Sequence, residues 1–431
     1  MKRSLFFVIA AFLFSPLSAQ YEVRGGSGRP YWAGKNGITE IYFLNGMEGA
    51  QIKFTSSQSA THQWYRYKES IDDAVPVPCT QSGNSSVITD IQDGYGYYVA
   101  APVGNGYIWI VDYSRYVSRI SGLRVMEDEY KCERLKLIAD VEAAPIYYYT
   151  NGRQNTLQRK FLLTYNTLKW QEEEKTFIPF NASLDLEERE LFPEINVNDP
   201  PLTNTTFTLT DSIAEHFGIA QALTSEEYRA VRVEAHYTAE KDREFGDNEK
   251  PKTGTESSPI DYTFTAYANE PIAAYYIWTV MKQIDNTDQY TTIVRYTDPV
   301  LRYTFENTGN YQVQLEVDDA QSVCADILNA ITVSIDSTRI IIPNAFSPGS
   351  SIGVNDELKI QFRSVISFRA FVYNRWGNLL YQWSDPTKGW NGMVNGKFVP
   401  TGVYFVVVEY TDSEGRRRKE ARDVNVLRTK N

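Results

Sequence analysis

Short runs of β-branched and aromatic residues recur along this chain, separated by clusters of turn-forming residues. The runs come about every 8–12 residues, a spacing typical of β-sandwiches. Two windows favour a helix: Thr210–Gly218, with Gly218 as its C-cap, and Ser225–Glu234, whose valines fit a strand equally well. The chain is therefore predicted to be all-β, a series of small immunoglobulin-like (Ig-like) sandwiches.

A small repeat supports this fold class. The pattern Gly-x-Tyr opens an apolar run three times, at Tyr98, Tyr311 and Tyr404. In Ig-like sandwiches a tyrosine at the start of a late strand makes a corner hydrogen bond. Trp64 and Trp278 precede the first two tyrosines and are predicted to be the central tryptophans of two sandwiches. The stretch around Trp278 and Tyr311 resembles a PKD-type Ig-like domain.

These signals divide the chain into a leader and four β domains. The predicted bounds are 1–19 for a signal peptide, 20–128 for an Ig-like sandwich, 129–225 for a second β-rich domain, 226–338 for a PKD-like domain and 339–431 for a small terminal sandwich. In the second domain, Asn151-Gly152 predicts a hairpin between Ile146–Thr150 and Leu157–Tyr165. The polar stretch Glu240–Pro259 is predicted to be a long exposed loop.

The first residues have the form of a secretory signal peptide. Basic residues Lys2 and Arg3 precede the apolar run Leu5–Phe14, and small residues lead to a cleavage site after Ala19. This form predicts passage through the inner membrane by the Sec route. No later run approaches the roughly eighteen apolar residues of a spanning helix, so the mature chain is expected to lack one.

The last ninety or so residues carry the most specific pattern in the chain. Its residues are Pro343, Asn344, Phe346, Pro348, Asn355, Asp356, Asn374, Arg375, Trp376, Gly377, Trp390, Gly392, Pro400, Gly402 and Tyr404. Val403–Tyr410 predicts a strand and Lys419–Leu427 its antiparallel return. The tryptophans of this segment, including Trp376 and Trp390, are predicted to pack in its core.

The order and spacing of these blocks resemble the type B sorting domain of the type IX secretion system of Bacteroidota, also called the gliding-motility-associated C-terminal domain. The resemblance covers roughly residues 340–431. It implies a small β-sandwich, export to the cell surface, and contact with translocon and shuttle proteins of the outer membrane. One segment departs from the family: Gly349–Asp356 keeps only the final Asn-Asp of an acidic loop. This segment has too few carboxylate or amide oxygens for calcium, so no calcium site is predicted there.

Charge is unevenly distributed. Residues 340–431 carry a net charge of +5, whereas the whole chain carries −11, which leaves −16 for residues 1–339. An acidic body argues against nucleic acid as a partner. The cluster Arg416, Arg417, Arg418 and Lys419 is predicted to be either a solvated strand edge or a docking patch for an acidic partner. Reversing its three arginines to glutamate is expected to leave the fold intact, because exposed charges contribute little stability.

Signals of catalysis or cofactor binding are nearly absent. His62, His216 and His236 lack metal-ligand spacing, and no nucleophile elbow or complete dinucleotide fingerprint occurs. We therefore expect neither an enzyme nor a bound cofactor or metal. Asp285–Asp288 is predicted to be a polar hairpin tip.

Two sequence features bear on covalent modification. Asp211-Ser212-Ile213 resembles the O-glycosylation pattern of Bacteroidota, with Ser212 as the acceptor. Three scattered cysteines do not make a disulfide framework. They predict either buried thiols or one bond, between Cys79 and Cys132.

Three classes of function fit these observations. The first is a non-enzymatic surface protein exported by the type IX system, acting as an accessory or signalling component of the secretion machinery and contacting envelope signalling proteins. The second is a small adhesin or glycan-binding protein, for which Tyr147-Tyr148-Tyr149 is the best candidate patch, although a strand would bury at least one of the three. The third, a surface hydrolase, has the weakest support.

Overall fold

The computed structural model describes residues 20–100, 106–126, 131–243, 255–350 and 353–428, most of them in β-strands. The predicted signal peptide and the central part of the predicted loop Glu240–Pro259 lie outside these residues. The chain divides into two compact units. One comprises Met1–Thr167 and Pro179–Ala230, and the other comprises Leu168–Ile178 and Val231–Asn431. Serial β-sandwiches make up the fold, as predicted.

The first unit opens with a sandwich of two sheets. Its strands are β1 Gln20–Arg24, β2 Tyr31–Asn36, β3 Thr39–Leu44, β4 Gln51–Thr55, β5 Trp64–Tyr67, β6 Val75–Val77, β7 Thr80–Ser82, β8 Ser85–Ile88, β9 Tyr95–Val99 and β10 Tyr107–Asp112. One sheet has the order β1-β4-β8-β7, and the other has the order β2-β3-β10-β9-β5-β6. Strands β3 and β10 are parallel, whereas β2 and β3 are antiparallel.

The core of this sandwich lies between the two sheets. Ile52 and Phe54 of β4 meet Trp64, Tyr97 and Ile108 of the facing sheet. Trp64 is 1% exposed, and its indole N–H donates to the Ser86 hydroxyl at 2.8 Å. Trp64 is therefore the central core tryptophan that the sequence predicted.

The rest of the first unit continues in smaller sheets. Its strands are β11 Arg119–Met126, β12 Leu135–Glu142, β13 Ile146–Thr150, β14 Arg153–Leu157, β15 Lys160–Gln171, β16 Thr176–Glu187, β17 Ile195–Val197, β18 Thr208–Asp211 and β19 Leu223–Thr224. They form the sheets β11-β12-β17, β13-β14 and β16-β15-β18-β19. The tip of the long β15–β16 hairpin, Leu168–Ile178, groups with the second unit.

One of the two helical windows is helical. Helix α1 spans Ser212–His216, and the Asp211 carboxylate caps it by accepting from the N–H groups of Ile213 and Ala214. Gly218 follows with φ +70°, as predicted for a residue that ends a helix. The window Ser225–Glu234 forms neither helix nor strand. It is irregular apart from a bridge between Tyr228 and Thr205, and the prediction of regular structure there is wrong.

The Asn151-Gly152 turn is present. It joins β13 to β14, and both residues have positive φ, 51° and 72°, as a type I′ turn requires. The returning strand is Arg153–Leu157, so it comes earlier than the predicted Leu157–Tyr165. The difference arises because a two-residue loop places the return strand immediately after the turn.

The second unit contains a sandwich that is built around Trp278. Its strands are β20 Ala235–Arg243, β21 Ile260–Ala268, β22 Ala273–Gln283, β23 Tyr290–Tyr296, β24 Val300–Phe305, β25 Gly309–Asp319 and β26 Ala325–Ile335. The sheets have the orders β20-β21-β24 and β23-β22-β25-β26. Because β20 extends to Arg243 and Glu256 bridges to Ile335, the ends of the predicted loop Glu240–Pro259 are ordered into the sandwich.

A terminal sandwich follows in the same unit. Its strands are β27 Arg339–Ile341, β28 Ala345–Phe346, β29 Gln361–Arg363, β30 Val365–Tyr373, β31 Leu379–Trp383, β32 Met393–Val394, β33 Lys397–Phe398, β34 Gly402–Asp412 and β35 Arg417–Val426. A five-stranded sheet has the order β28-β35-β34-β30-β31, beside the pairs β27-β29 and β32-β33. As predicted, β34 and β35 form an antiparallel hairpin.

The corner hydrogen bonds occur at two of the three predicted tyrosines. The hydroxyl of Tyr311 donates to the carbonyl of Asn307 at 2.8 Å, and that of Tyr404 donates to the carbonyl of Pro400 at 2.9 Å. In the first sandwich the contact belongs to Tyr97, whose hydroxyl accepts from the Gln92 N–H at 2.6 Å. The neighbouring Tyr98 points to the other face, because successive strand residues alternate.

Candidate functional site

The pattern residues of the terminal sandwich fall into an inner and an outer group. Trp390 is fully buried, and its indole N–H donates to the Met393 carbonyl at 3.0 Å. Its ring lies against those of Phe346 and Tyr404, with centroids 5.5 and 5.7 Å away. Three blocks that are distant in sequence therefore form one core, and the predicted burial of Trp390 is confirmed.

Glycine is required beside this core. Gly392 has φ +74°, and a side chain there would place its Cβ 2.7 Å from Cγ of Pro348. Only glycine combines that backbone conformation with so close an approach. Gly402, with φ +149°, opens β34 two residues before Tyr404.

The first block ties the beginning of the sandwich to its last strand. After Pro343, the carbonyls of Asn344 and Phe346 accept from the N–H groups of Asn425 and Leu427, both at 2.9 Å. Short β28 thereby lies parallel to the end of β35. The Pro-Asn-x-Phe block therefore provides the edge strand that pairs with the end of β35.

The described end of the segment that departs from the family, Gly353–Asp356, makes two local hydrogen bonds. The carbonyl of Asn355, whose φ is +53°, accepts from the N–H of Ser347 at 2.6 Å. The carboxylate of Asp356 accepts from the N–H of Gly353 at 2.9 Å. The retained Asn-Asp pair thus holds this end of the segment through the backbone carbonyl of Asn355 and the side-chain carboxylate of Asp356.

The turn between β30 and β31 belongs to the outer group. The side-chain oxygen of Asn374 accepts from the N–H groups of Trp376 and Asn378, each at 3.0 Å, and Gly377 has φ +80°. This arrangement leaves the indole of Trp376 70% exposed, with the Arg375 guanidinium carbon 4.2 Å from its centroid. The prediction that Trp376 packs in the core is therefore wrong, because the tight turn directs its side chain outward.

The basic cluster is partly neutralised by its own hairpin. Arg416 and Arg418 each place Nε 3.1 Å from the carboxylate of Asp412, which is 4% exposed. Lys419 pairs with Glu409 at 3.3 Å. Burial opposes ionisation of Asp412, but the Arg416 N–H and the two guanidinium groups hold its pKa below the usual range. Arg416 and Arg418 are therefore structural partners of a buried carboxylate as well as surface charges.

An exposed apolar surface on the same sandwich was not recognised in the sequence. On the side of the five-stranded sheet away from the core, Phe371 and Tyr373 of β30 lie beside Phe405 of β34. Phe405, Val403 and Leu379 are 47%, 46% and 49% exposed. The available signal was the run Val403–Val408, which is apolar at every position and so offers apolar side chains to both faces.

Ser212 lies in a constrained position. Its hydroxyl oxygen is buried without a hydrogen-bond partner, and Asp211 beside it is 1% exposed. The Asp211 carboxylate accepts from the hydroxyls of Tyr113 and Ser118 at 2.8 and 2.7 Å. A glycan on Ser212 would have to be attached before this segment folds or after it opens.

The candidate tyrosine patch is split by the strand period. Tyr147 is 44% exposed, whereas Tyr148 is 7% exposed and receives a hydrogen bond from the Asn36 amide at 2.7 Å. Nearby, within the first unit, lies a groove of about 270 Å³. It is lined by Asn36, Gly37, Ile38, Thr39, Tyr67, Ile71, Tyr107, Thr150 and Asn151.

The three histidines occupy separate environments. His62 is buried between the hydroxyls of Ser56 and Ser86, and burial lowers its pKa. His216 contacts the carbonyl of Arg29 at 2.8 Å, and His236 stacks on Trp170 with centroids 4.2 Å apart. Among the described residues, no three His, Cys, Asp or Glu side chains come together as a metal ion would require.

Two further expectations concern Cys79 and Asp285–Asp288. Cys79 is a free thiol, so the bond to Cys132 is absent. The segment Asp285–Asp288 forms the turn between β22 and β23, where the Ile284 N–H donates to the Gln289 carbonyl at 2.8 Å. Of the helices that the structure describes, none is long and apolar enough to cross a membrane.

Comparison with protein families assigns two segments of the chain. Residues 340–422 match the CHU_C type IX secretion signal domain, and residues 124–225 match a fibronectin type III domain. No curated protein matches the chain in sequence. The first assignment confirms the resemblance found in the terminal sequence blocks, and the second agrees with a series of sandwich domains.

Solved structures give only distant likenesses. The chain is 12% identical to a tetra-tandem repeat from the extending region of a large adhesion protein, covering 90% of this chain and 99% of that one with a TM-score of 0.19. It is 8% identical to Escherichia coli alpha-2-macroglobulin activated by porcine elastase, covering 96% and 44% with a TM-score of 0.18. It is 11% identical to dimeric latent PorU from Porphyromonas gingivalis, covering 75% and 36% with a TM-score of 0.17. These scores are too low to bear on function. The family match alone identifies residues 340–422 as a type IX secretion signal domain, which follows serial β-sandwiches in the chain.

Proposed function

We propose that this protein is a non-enzymatic accessory or signalling component of the type IX secretion machinery, held at the outer surface of the cell. The observation that carries the proposal is the type IX secretion signal domain at residues 340–422. In this proposal the chain crosses the inner membrane by the Sec route and then meets translocon and shuttle proteins at the outer membrane. Its acidic body binds another envelope protein.

The form of the chain favours a component of the machinery over a large adhesin. A body rich in aromatic strands, joined to this signal domain, resembles PorA of Porphyromonas, a protein linked to the secretion machinery and its envelope signalling. The body and the signal domain carry opposite net charges, −16 and +5. Opposite charges allow each part to select a different partner.

The non-catalytic part of the proposal rests on what the histidines do. Each has a ring nitrogen engaged by a structural neighbour: His62 by two serine hydroxyls, His216 by a backbone carbonyl and His236 by the Glu234 carboxylate at 3.1 Å. A general base or metal ligand needs a ring nitrogen that faces a substrate site. We therefore assign these side chains to packing.

Export is tested by removing the signal domain. We expect the chain without residues 340–431 to accumulate in the periplasm, whereas the complete chain reaches the surface, as measured by protease accessibility on intact cells. Cross-linking and co-purification from native outer membranes then test the accessory role. Normal surface display of the truncated chain would overturn the export route. Normal export without any cross-link to secretion components would overturn the accessory role alone.

A second candidate function is glycan binding, which the groove near Asn36 favours. Its lining combines tyrosine rings with amide and hydroxyl groups, namely Tyr107, Asn36 and Thr150. Sugars are recognised by this combination of an aromatic face and hydrogen-bonding groups. The test is a glycan array probed with the complete chain and with the variant Tyr107→Ala, using Tyr147→Ala as the exposed control. Binding lost in the first variant and kept in the second supports the candidate, and no binding by the complete chain removes it.

A further inference from the structure

The side of the five-stranded sheet away from the core forms a continuous surface, which we call the outer face. It is made by alternate residues of β30, β34 and β35 together with Leu379 and the β30–β31 turn. Its strand residues are Ser367, Arg369, Phe371, Tyr373, Leu379, Gln382, Val403, Phe405, Val407, Glu409, Thr411, Arg417, Lys419, Ala421, Asp423 and Asn425. The β30–β31 turn at the edge of this face carries Trp376.

One end of the outer face is aromatic and apolar. Tyr373 stands opposite Phe405 on β34 and opposite Leu379 on β31. Trp376 is 70% exposed in the turn at this end of the sheet, and Val403 begins the neighbouring strand. A sheet with one face toward water ordinarily alternates apolar and polar residues. Here the outward positions of β30 and β34 are apolar as well, which departs from the pattern of a solvated sheet, whereas β35 contributes Asp423 and Asn425 opposite Phe405 and Val403.

The other end is basic and hydroxylated. Ser367 and Thr411 share a hydrogen bond of 2.6 Å, and Arg417 stands opposite Thr411 on β35. Arg369 and Lys419 flank Glu409 in the next row. These side chains line a shallow groove of about 600 Å³. Three cations against one carboxylate give this end a positive charge.

Single exposed apolar side chains are common on protein surfaces, whereas a contiguous group of them marks an interaction site. Tyr373, Phe405 and Leu379 are register neighbours across three strands. Exposed Trp376 and Phe405 with half-buried Tyr373 and a neighbouring arginine have the composition that is enriched in protein interfaces. The Arg375 guanidinium over Trp376 adds a cation to the aromatic end.

We propose that the outer face is the docking surface through which the signal domain binds an outer-membrane protein of the type IX machinery, and that the contact patch of this partner is apolar with carboxylates at one end. The inference rests on the proposed function and names the surface that performs it. Charge complementarity selects the occupant: a cationic end beside an apolar end fits a protein patch of opposite charge and matching polarity. In such an interface the aromatic anchors supply affinity, and the cations supply orientation and association rate.

Two sets of variants test this surface in the complete chain. The aromatic variant is Trp376→Ser with Phe405→Ser, and the basic variant is Arg369→Gln with Arg417→Gln. All four positions are exposed, so the fold should persist. Matched controls outside the outer face are Ile327→Ser, which is 55% exposed in the preceding sandwich, and Lys397→Gln in β33. Near-UV circular dichroism of each purified chain verifies folding.

The readouts are surface display on intact cells and cross-linking to the purified machinery in detergent. We expect surface display and cross-linking to fall at least tenfold in the aromatic variant and severalfold in the basic variant. Cross-linking of the basic variant should also depend less on salt concentration than that of the unmodified chain. The controls should match the unmodified chain. Wild-type display and cross-linking by both folded variants would overturn the outer face as the docking surface. Concentration-dependent dimerisation that the aromatic variant abolishes would also overturn it, since the occupant would then be a second copy.

The truncated chain separates this inference from the proposed function. If the chain without residues 340–431 is displayed normally, the export function itself fails. If truncation blocks display while the folded face variants are displayed like the unmodified chain, only the docking surface fails.

Discussion

Two tryptophans of the signal domain show how little residue type alone decides. Trp390 and Trp376 both follow turn-rich stretches of similar composition, yet one is fully buried and the other is 70% exposed. The Trp390 ring is enclosed by Phe346, Tyr381 and Tyr404. Trp376 has the Arg375 guanidinium over its ring and is otherwise open to solvent. The same substitution should therefore cost much more stability at Trp390 than at Trp376.

We expect Trp390→Ala to destabilise the signal domain by about 3–5 kcal/mol, because it leaves a large cavity in the core. Trp376→Ala should change stability by less than about 0.5 kcal/mol. Hydrogen exchange of residues 353–428 in the complete chain measures both, with each variant serving as the control for the other. Equal protection in the two variants would contradict this assignment.

The basic cluster gives a second expectation at this scale. Reversing Arg416 and Arg418 to glutamate places two new carboxylates beside buried Asp412, so we expect the signal domain to lose stability. This corrects the expectation that the triple reversal is harmless. Arg417→Glu is the matched control, since its side chain lies on the outer face, away from Asp412. Urea unfolding compares the two variants.

The pH dependence of this site has a definite sign. The pKa of Asp412 is lowered in the folded chain, so its ionised form contributes stability above the usual aspartate pKa of about 4. That contribution is lost as the pH falls through the lower folded value. The variant Asp412→Asn should lose this part of the decrease in unfolding free energy at acid pH. If the unfolding free energy of the variant falls with decreasing pH as steeply as that of the unmodified chain, the assignment is contradicted.

Tyr311 makes the stability of the folded chain depend on pH in the alkaline range. Burial raises the pKa of its hydroxyl to about 12, and the hydroxyl donates to the Asn307 carbonyl. The neutral hydroxyl makes its complete contribution to the unfolding free energy below about pH 10, the usual tyrosine pKa. This contribution declines as the pH rises from about 10 to about 12. We expect Tyr311→Phe to cost about 1 kcal/mol at neutral pH and to make the alkaline decline less steep. Unfolding free energies at pH 9 and 11 test both statements, with exposed Tyr275→Phe as the control.

Among the elements, the β13–β14 hairpin depends on two backbone conformations. Nothing lies within 4 Å of a Cβ placed on Gly152, so Gly152→Ala tests the positive φ alone. We expect a cost of about 1–2 kcal/mol, measured as faster exchange of the Ile146–Leu157 amides. Asn151→Gly should leave the exchange rates near their original values, because glycine adopts the same conformation freely. If the Ile146–Leu157 amides exchange at the same rate in both variants, the backbone conformation of the turn does not control the stability of the hairpin.

The β34 strand shows what periodicity can and cannot reveal. Tyr404, Val406 and Val408 face the core, while Val403, Phe405 and Val407 face outward. A continuous apolar run predicts a strand covered on both faces. The sequence thus contains the signal for the outer face, but β30 and β31 had to be placed beside β34 before its aromatic residues could be seen as one surface.

At the scale of the whole molecule, the signal domain and the preceding sandwich share contacts within the second unit. Arg363 is 3% exposed and lies 3.1 Å from the carboxylate of Asp336. The buried N–H of Ser258 donates to the Ser364 hydroxyl at 3.0 Å. The two sandwiches therefore do not have fully separate stabilities, even though each has its own core.

We expect the chain truncated before residue 340 to remain folded but with strands β20–β26 destabilised by about 1–3 kcal/mol, because these bonds are lost. Hydrogen exchange of residues 255–335 measures the change. The strands of the first unit provide the internal control and should exchange as before. Identical protection of β20–β26 in the two chains would contradict shared stability.

Local chemistry determined much of this protein from the sequence alone. The Asn151-Gly152 turn, the cap Asp211 with the stop at Gly218, and the corner tyrosines Tyr311 and Tyr404 depend on neighbours a few residues away. The terminal sequence blocks likewise predicted the secretion signal domain, which the family match confirms.

Tertiary structure decided everything that depends on partners from distant strands. The enclosure of Trp390 by Phe346 and Tyr404, the burial of Asp412 and the apolar outer face all require the sheet to be assembled first. A side chain becomes core, ion-pair partner or interface according to what the neighbouring strands bring against it. Those neighbours come from tens of residues away, so no local pattern contains them.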